Sequence, residues 1–250
     1  HIIAFASAGP HHVRCCGHTL NEWLEEALMS DAMTAVQPTA RASRARLRLW
    51  PGRRAEPLGL CLVVPGLGYT ASMPLLFWPA TALVEDGWAV AVLEWGTPPT
   101  DPAALEALAE AALSRTLAGA PLKQADVPLL LVAKSLGTRL APWAGRHEVA
   151  GVWLTPLLDD VRVRRAIETY PAPGLVVGGT DDPHWDGGPA LTPVAADVQV
   201  WDVPGANHSL QVPSWRASVR TQCEVTDRVL ALARGLPAGR ALSGPGAQVS

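Results

Sequence analysis

Between residues 44 and 234 short apolar runs alternate with longer, helix-like ones. Leu60-Cys61-Leu62-Val63-Val64 is apolar throughout, and 128–132 and 88–94 are nearly so, as expected of strands covered on both faces. Residues 149–154, 174–178 and 198–203 extend the set, while 44–50 alternates polar and apolar residues like an edge strand. Helices are predicted over 74–85, 101–117, 135–145, 159–168 and 214–234. Asp101 followed by Pro102 is a helix start, because the carboxylate accepts from free N–H groups and proline suits the first helical position. Strand and helix alternating without internal repeat predict an α/β fold: a mostly parallel central sheet flanked by helices on both faces.

The pattern divides the chain into an N-terminal extension, residues 1–42, a folded domain, residues 43–235, and a flexible Gly/Pro/Ser-rich tail, residues 236–250. Between the strands at 149–154 and 174–178 there is room for one helix and its loops, so no large cap domain is expected and the cleft should be open.

At 250 residues and 48% hydrophobic the chain is large enough for a substantial core. Its longest apolar runs fall far short of the roughly 20 residues that a membrane-spanning helix needs. Lys and Arg number 20 against 23 Asp and Glu, a net charge of −3, which leaves no basic footprint for nucleic acid. A small-molecule substrate is the expected partner; oligomeric state stays open. Cysteines at 15, 16, 61 and 223 suggest no disulfide framework, and the first residues lack the basic–apolar–small order of a secretory signal, so a cytoplasmic protein is expected. His11, His12, Cys15, Cys16 and His18 match no familiar zinc spacing, so neither a metal nor a cofactor is expected.

The chemistry concentrates in three loops, each following a predicted strand. Ala133-Lys134-Ser135-Leu136-Gly137 sets a serine between a strand and a helix with a small residue two positions away on either side. A nucleophile on such a strained turn requires small neighbours, since larger ones would strike the adjoining strand and helix. Alone, the pattern is equally that of a helix-capping serine. Gly179-Thr180-Asp181-Asp182-Pro183-His184-Trp185 follows one strand and Pro204-Gly205-Ala206-Asn207-His208-Ser209-Leu210 follows the last. Serine, aspartate and histidine thus occur in the chain order of α/β-hydrolases.

From about Arg44 to Arg234 the chain resembles the α/β-hydrolase superfamily, in particular its compact dienelactone-hydrolase-like and small serine esterase-like members. Gly-Thr-x-Asp-Pro-x-Trp and Asn-His-Ser-Leu are the more specific matches. The resemblance implies Ser135 as nucleophile, His208 as base and Asp182 as the acid that orients it. Asp181 is the alternative acid, disfavoured because Gly179 to Asp182 is the family-like spacing. Ala133 stands where glycine is more familiar. Pro65-Gly66-Leu67-Gly68-Tyr69 resembles the family's His-Gly turn with proline for histidine, which assigns the oxyanion donors to the backbone N–H groups of Leu67, or else Gly68, and of Leu136.

Trp78, Trp95, Trp153 and Trp185 fall near the same rim; Trp95 and Trp185 follow strand ends and are candidate substrate contacts, against the alternative of core packing. Lys134 is expected to point away from the serine hydroxyl and to take no chemical part. The implied activity is hydrolysis of an ester or thioester through an acyl-enzyme. Its alternatives are an inactive interaction protein on the same fold, or an acyltransferase or peptidase using the same residues.

Overall fold

The computed structural model describes residues 45–50, 54, 56–99, 101–119, 127–185, 191, 193 and 197–237. The N-terminal extension, with its His/Cys cluster, and the tail from residue 238 lie outside the described residues.

Among the described residues seven strands form one sheet: β1 (Arg46–Trp50), β2 (Leu60–Val64), β3 (Ala89–Glu94), β4 (Leu129–Lys134), β5 (Ala150–Leu154), β6 (Gly174–Gly179) and β7 (Val198–Val203). Their spatial order is β1-β3-β2-β4-β5-β6-β7. Only β1 runs antiparallel, pairing Arg46 with Glu94 and Trp50 with Val90; every other neighbour is parallel. The order reverses beside β2 and β4, and the loops leaving those strands open the crevice in which open α/β sheets bind ligands.

Among the described residues five helices cover the sheet: α1 (Pro74–Asp86), α2 (Pro102–Gly119), α3 (Ala141–Arg146), α4 (Val161–Glu168) and α5 (Trp215–Gly235). Side chains on a strand alternate between faces, and two apolar clusters result. Cys61, Val63, Leu130 and Val132 pack with Leu76, Leu83, Val225 and Val229 of α1 and α5. Leu60, Leu62, Leu131 and Ala133 pack on the opposite face with α2, α3 and α4. In α2 the buried positions Leu105, Leu108, Ala109, Ala112 and Leu113 recur at helical spacing, and Asp101 accepts from the N–H groups of Ala103 and Ala104 at 3.3 Å, capping the helix as expected.

Two segments differ from expectation. Residues 135–145 are not one helix but a 3-10 segment, Ser135–Leu140, followed by α3. Pro142 lacks the N–H that a continuous α-helix would donate to Thr138, so the winding changes just before it; the Thr138 carbonyl instead accepts from Ala141. Trp88 is not in β3. It belongs to the C-terminal cap of α1, where Gly87 adopts a left-handed φ of 102° and the Trp88 N–H donates to Leu83. Between β5 and β6 stands the single helix α4 and no cap domain.

Candidate active site

β4 ends in the middle of the sheet and delivers Ser135 directly. Ser135 has φ 50°, a left-handed conformation unusual for a residue with a side chain, and it marks the sharp turn from strand to helix. Gly137 makes the turn possible: a Cβ there would lie 2.7 Å from the Val64 carbonyl oxygen and 2.9 Å from the Val64 side chain. Ala133 is fully buried and its methyl is accommodated, so alanine suffices at the position where glycine is more familiar. The Thr138 hydroxyl donates to the Ser135 carbonyl at 2.5 Å and accepts from the Leu157 N–H at 3.3 Å, tying the turn to the loop after β5.

The loop after β6 presents Asp182. Its N–H donates to the Gly179 carbonyl, and its own carbonyl accepts from Trp185. Asp182 Oδ1 accepts from the His184 N–H at 3.0 Å, and Oδ2 lies 2.7 Å from His208 Nδ1. The carboxylate side chain is fully buried, so both oxygens are committed and the group is fixed in direction. Asp181, the alternative acid, is exposed and contributes its N–H to the Ala206 carbonyl.

The loop after β7 presents His208. Asn207 Oδ1 accepts from the N–H groups of Ser209 and Gln211, and Leu210, at φ 52°, is fully buried as an apolar anchor. The ring is thereby held with Nε2 2.8 Å from Ser135 Oγ. Ser135, His208 and Asp182 thus form one hydrogen-bonded chain. With Nδ1 protonated toward Asp182, Nε2 is an acceptor for the serine proton, the arrangement that activates an alcohol as a nucleophile.

Backbone donors flank the serine. Leu136 lies at the start of the 3-10 segment, where N–H groups have no partner in the preceding turn. Leu67 is 69% exposed on the loop after β2, and among the described residues no backbone hydrogen bond engages its N–H. A side chain on the adjacent Gly66 would come within 3.0 Å of the Ser135 Cβ, so that loop abuts the nucleophile. A cleft of about 770 Å³ opens there, with Gly66, Tyr69 and Trp95 in its wall and Arg46, Glu94 and Thr97 among its polar lining. Trp95 is half-buried, its indole N–H donating to the Gly66 carbonyl at 3.3 Å.

Trp185 departs from its expected place at the rim. It is 3% exposed, its ring fills the space that a Cβ on Gly178 would need at 2.0 Å, and its indole N–H donates to Asp202 at 2.6 Å. Trp185 is therefore core, holding β6 to β7 beneath the acid loop, and is corrected from substrate contact to packing. Trp153 is also fully buried, whereas Trp78 is 52% exposed.

Two neighbours carry more weight than their sequence context suggested. His184 Nδ1 pairs with Asp159 at 3.0 Å, and its ring packs edge-on against His208 at 5.0 Å. Lys134 reaches into a polar junction, where its Nζ donates to the His208 carbonyl at 3.0 Å. Strand parity carries the signal, because Lys134 shares the face of Leu130 and Val132. Among the described residues no group of three or more His, Cys, Asp or Glu is arranged to hold a metal, and no helix is long and apolar enough to cross a membrane.

Sheet order, strand-end loops and the turn at Ser135 define an α/β-hydrolase fold. No family model matches the sequence, nor does any curated protein. Solved structures do match in fold. Est1E from Butyrivibrio proteoclasticus superimposes with a TM-score of 0.63 at 14% identity, covering 81% of this chain and 99% of its own. An α/β serine hydrolase without lid from Xanthomonas campestris gives 0.56 at 15%, covering 82% and 100%. An esterase domain from Rhodothermus marinus gives 0.56 at 16%, covering 81% and 95%. The likeness to a lidless protein agrees with the single helix between β5 and β6.

Proposed function

We propose that this chain is a serine hydrolase that cleaves an ester or thioester through an acyl-enzyme, with Ser135 as nucleophile, His208 as general base and acid, and Asp182 as the carboxylate that orients the imidazole. The observation that carries the reading is the unbroken contact from Ser135 Oγ to His208 Nε2 at 2.8 Å and from His208 Nδ1 to Asp182 Oδ2 at 2.7 Å. Fold neighbours described as an esterase domain and a serine hydrolase support the same class of chemistry.

In this reading Ser135 Oγ attacks the acyl carbon as its proton passes to His208 Nε2. Asp182 stabilises the imidazolium that forms, and the buried carboxylate needs no reorganisation to do so. The oxyanion takes the N–H groups of Leu67 and Leu136, dipoles fixed in place before reaction begins. Collapse of the intermediate breaks the bond to the leaving oxygen or sulfur, which receives the proton from Nε2. Water then enters; the His208 side chain is 32% exposed, so no gate has to open for it. His208 takes the water's proton as hydroxide adds to the acyl carbon; the bond from that carbon to Ser135 Oγ then breaks, Oγ takes the proton back from Nε2, and the acid leaves. Trp95, in the cleft wall, is the proposed apolar contact for one arm of the substrate.

Hydrolysis of a series of p-nitrophenyl esters by the protein and its Ser135→Ala variant tests the proposal. Turnover by the parent, reduced about 10³-fold or more in the variant, is expected. Equal rates in the two would contradict it.

A further inference from the structure

Lys134 is a lysine that the core has swallowed. It is 1% exposed, at the last position of a central strand, where an unpaired ammonium would be strongly disfavoured. Three things surround the charge. The His208 carbonyl accepts from Nζ at 3.0 Å. The ammonium lies over the face of Tyr69, 4.4 Å from the ring centroid, a cation–π geometry. The Asp182 carboxylate attracts it from the acid loop. These contacts belong to three different loops: Tyr69 follows β2, Asp182 follows β6 and His208 follows β7.

We propose that Lys134 is a positioning residue for the hydrolytic site: its ammonium clamps the base loop, through the His208 carbonyl, and the oxyanion loop, through Tyr69, onto the strand that carries Ser135. The inference rests on the serine-hydrolase reading above. Tyr69 is no loose contact, because its hydroxyl accepts from the Leu75 N–H at 3.0 Å and so caps the start of α1, where Met73 supplies no side-chain cap. One side chain therefore ties the histidine to the segment bearing the Leu67 N–H. A buried apolar residue of the same length would pack equally well and would avoid the cost of burying charge. Lysine at this place is consistent with what it positions rather than with what it stabilises.

Burial lowers the Lys134 pKa to about 8, against the opposing pull of Asp182. The charged or titratable groups against it are Asp182 and Tyr69, with His208 beyond its carbonyl. Below about pH 8 the clamp is charged; above it the attraction to Asp182 and to the Tyr69 ring is lost.

The test compares the full chain with Lys134→Met and Lys134→Gln, measuring the rate of Ser135 labelling by a fluorophosphonate together with thermal unfolding. Met keeps the stem and removes the donor; Gln keeps a donor without charge. The Met variant is expected to unfold no earlier than the parent, yet to label and turn over about 10- to 100-fold more slowly, in kcat rather than KM, with Gln between. A Met variant that labels at the parent rate overturns the proposal, as does one that merely melts earlier with its folded fraction fully reactive. If neither variant folds, the parent decides: labelling should decline as pH rises through about 8, and a flat profile from pH 7 to 9.5 overturns the clamp. Parent protein that does not label at Ser135 instead removes the hydrolase reading itself, so the two failures are distinct.

Discussion

Asp182 and Lys134 are both buried charged residues, and removing the charge of either is expected to lower activity rather than stability. Asp182→Asn keeps the size but offers an amide where His208 needs an acceptor, so the imidazole loses its tautomer and its counter-charge; kcat is expected to fall on the order of 10⁴-fold with the fold intact, checked by steady-state kinetics and circular dichroism. Lys134 makes a pH prediction with a definite sign. In the unfolded chain it holds its proton up to the ordinary 10.5, and in the folded one only to about 8. The unfolded state therefore binds more protons between those values, and stability contributed by this residue rises with pH across that window, by about 3 kcal/mol in all. Denaturant unfolding of the parent and of Lys134→Met at pH 7.5 and 10 should show that rise only in the parent. Trp185 illustrates where single-residue reading stops. Its place after a strand suggested a rim, and only the pairing of its ring with Gly178 and of its indole with Asp202 makes it core. Trp185→Phe should lower stability by about 1–2 kcal/mol, through the unpaired Asp202 carboxylate, and leave KM unchanged.

At the level of elements, what could be read in advance was what periodicity encodes. The fully apolar run at 60–64 matched β2 to the residue, the run at 128–132 fell two residues short of the end of β4, and polar–apolar alternation over 44–50 marked the edge strand β1. Less legible was the winding after Ser135, because local apolar spacing does not distinguish a 3-10 segment from an α-helix; Pro142 was the available sign. The turn itself makes a further prediction. Gly137→Ala would press a methyl to within 2.7 Å of the Val64 carbonyl oxygen, forcing the 3-10 segment off β2. A stability loss of roughly 1–3 kcal/mol is expected, with a larger proportional loss of activity than of folded protein, since the displaced segment carries both Ser135 and the Leu136 N–H.

Across the whole molecule, the three reacting side chains come from loops 47 and 26 positions apart in the chain, brought to one edge because β4, β6 and β7 are parallel and end together. Chain order and strand-end placement made that convergence readable, whereas the Lys134–Tyr69 contact required knowing which strands neighbour one another. Between β5 and β6, among the described residues, one helix stands where a cap domain would be inserted. Activity toward a soluble short-chain ester should therefore rise smoothly with concentration and show no jump where the substrate begins to form micelles; such a jump would point to a covering element. The most direct test of the central claim is fluorophosphonate treatment of the purified protein and its Ser135→Ala variant, with the adduct located by intact-mass and peptide mass spectrometry. One adduct per chain, on Ser135 and absent from the variant, is the predicted result. A folded parent that takes up no probe, or carries it elsewhere, would contradict the assignment of Ser135 as an activated nucleophile.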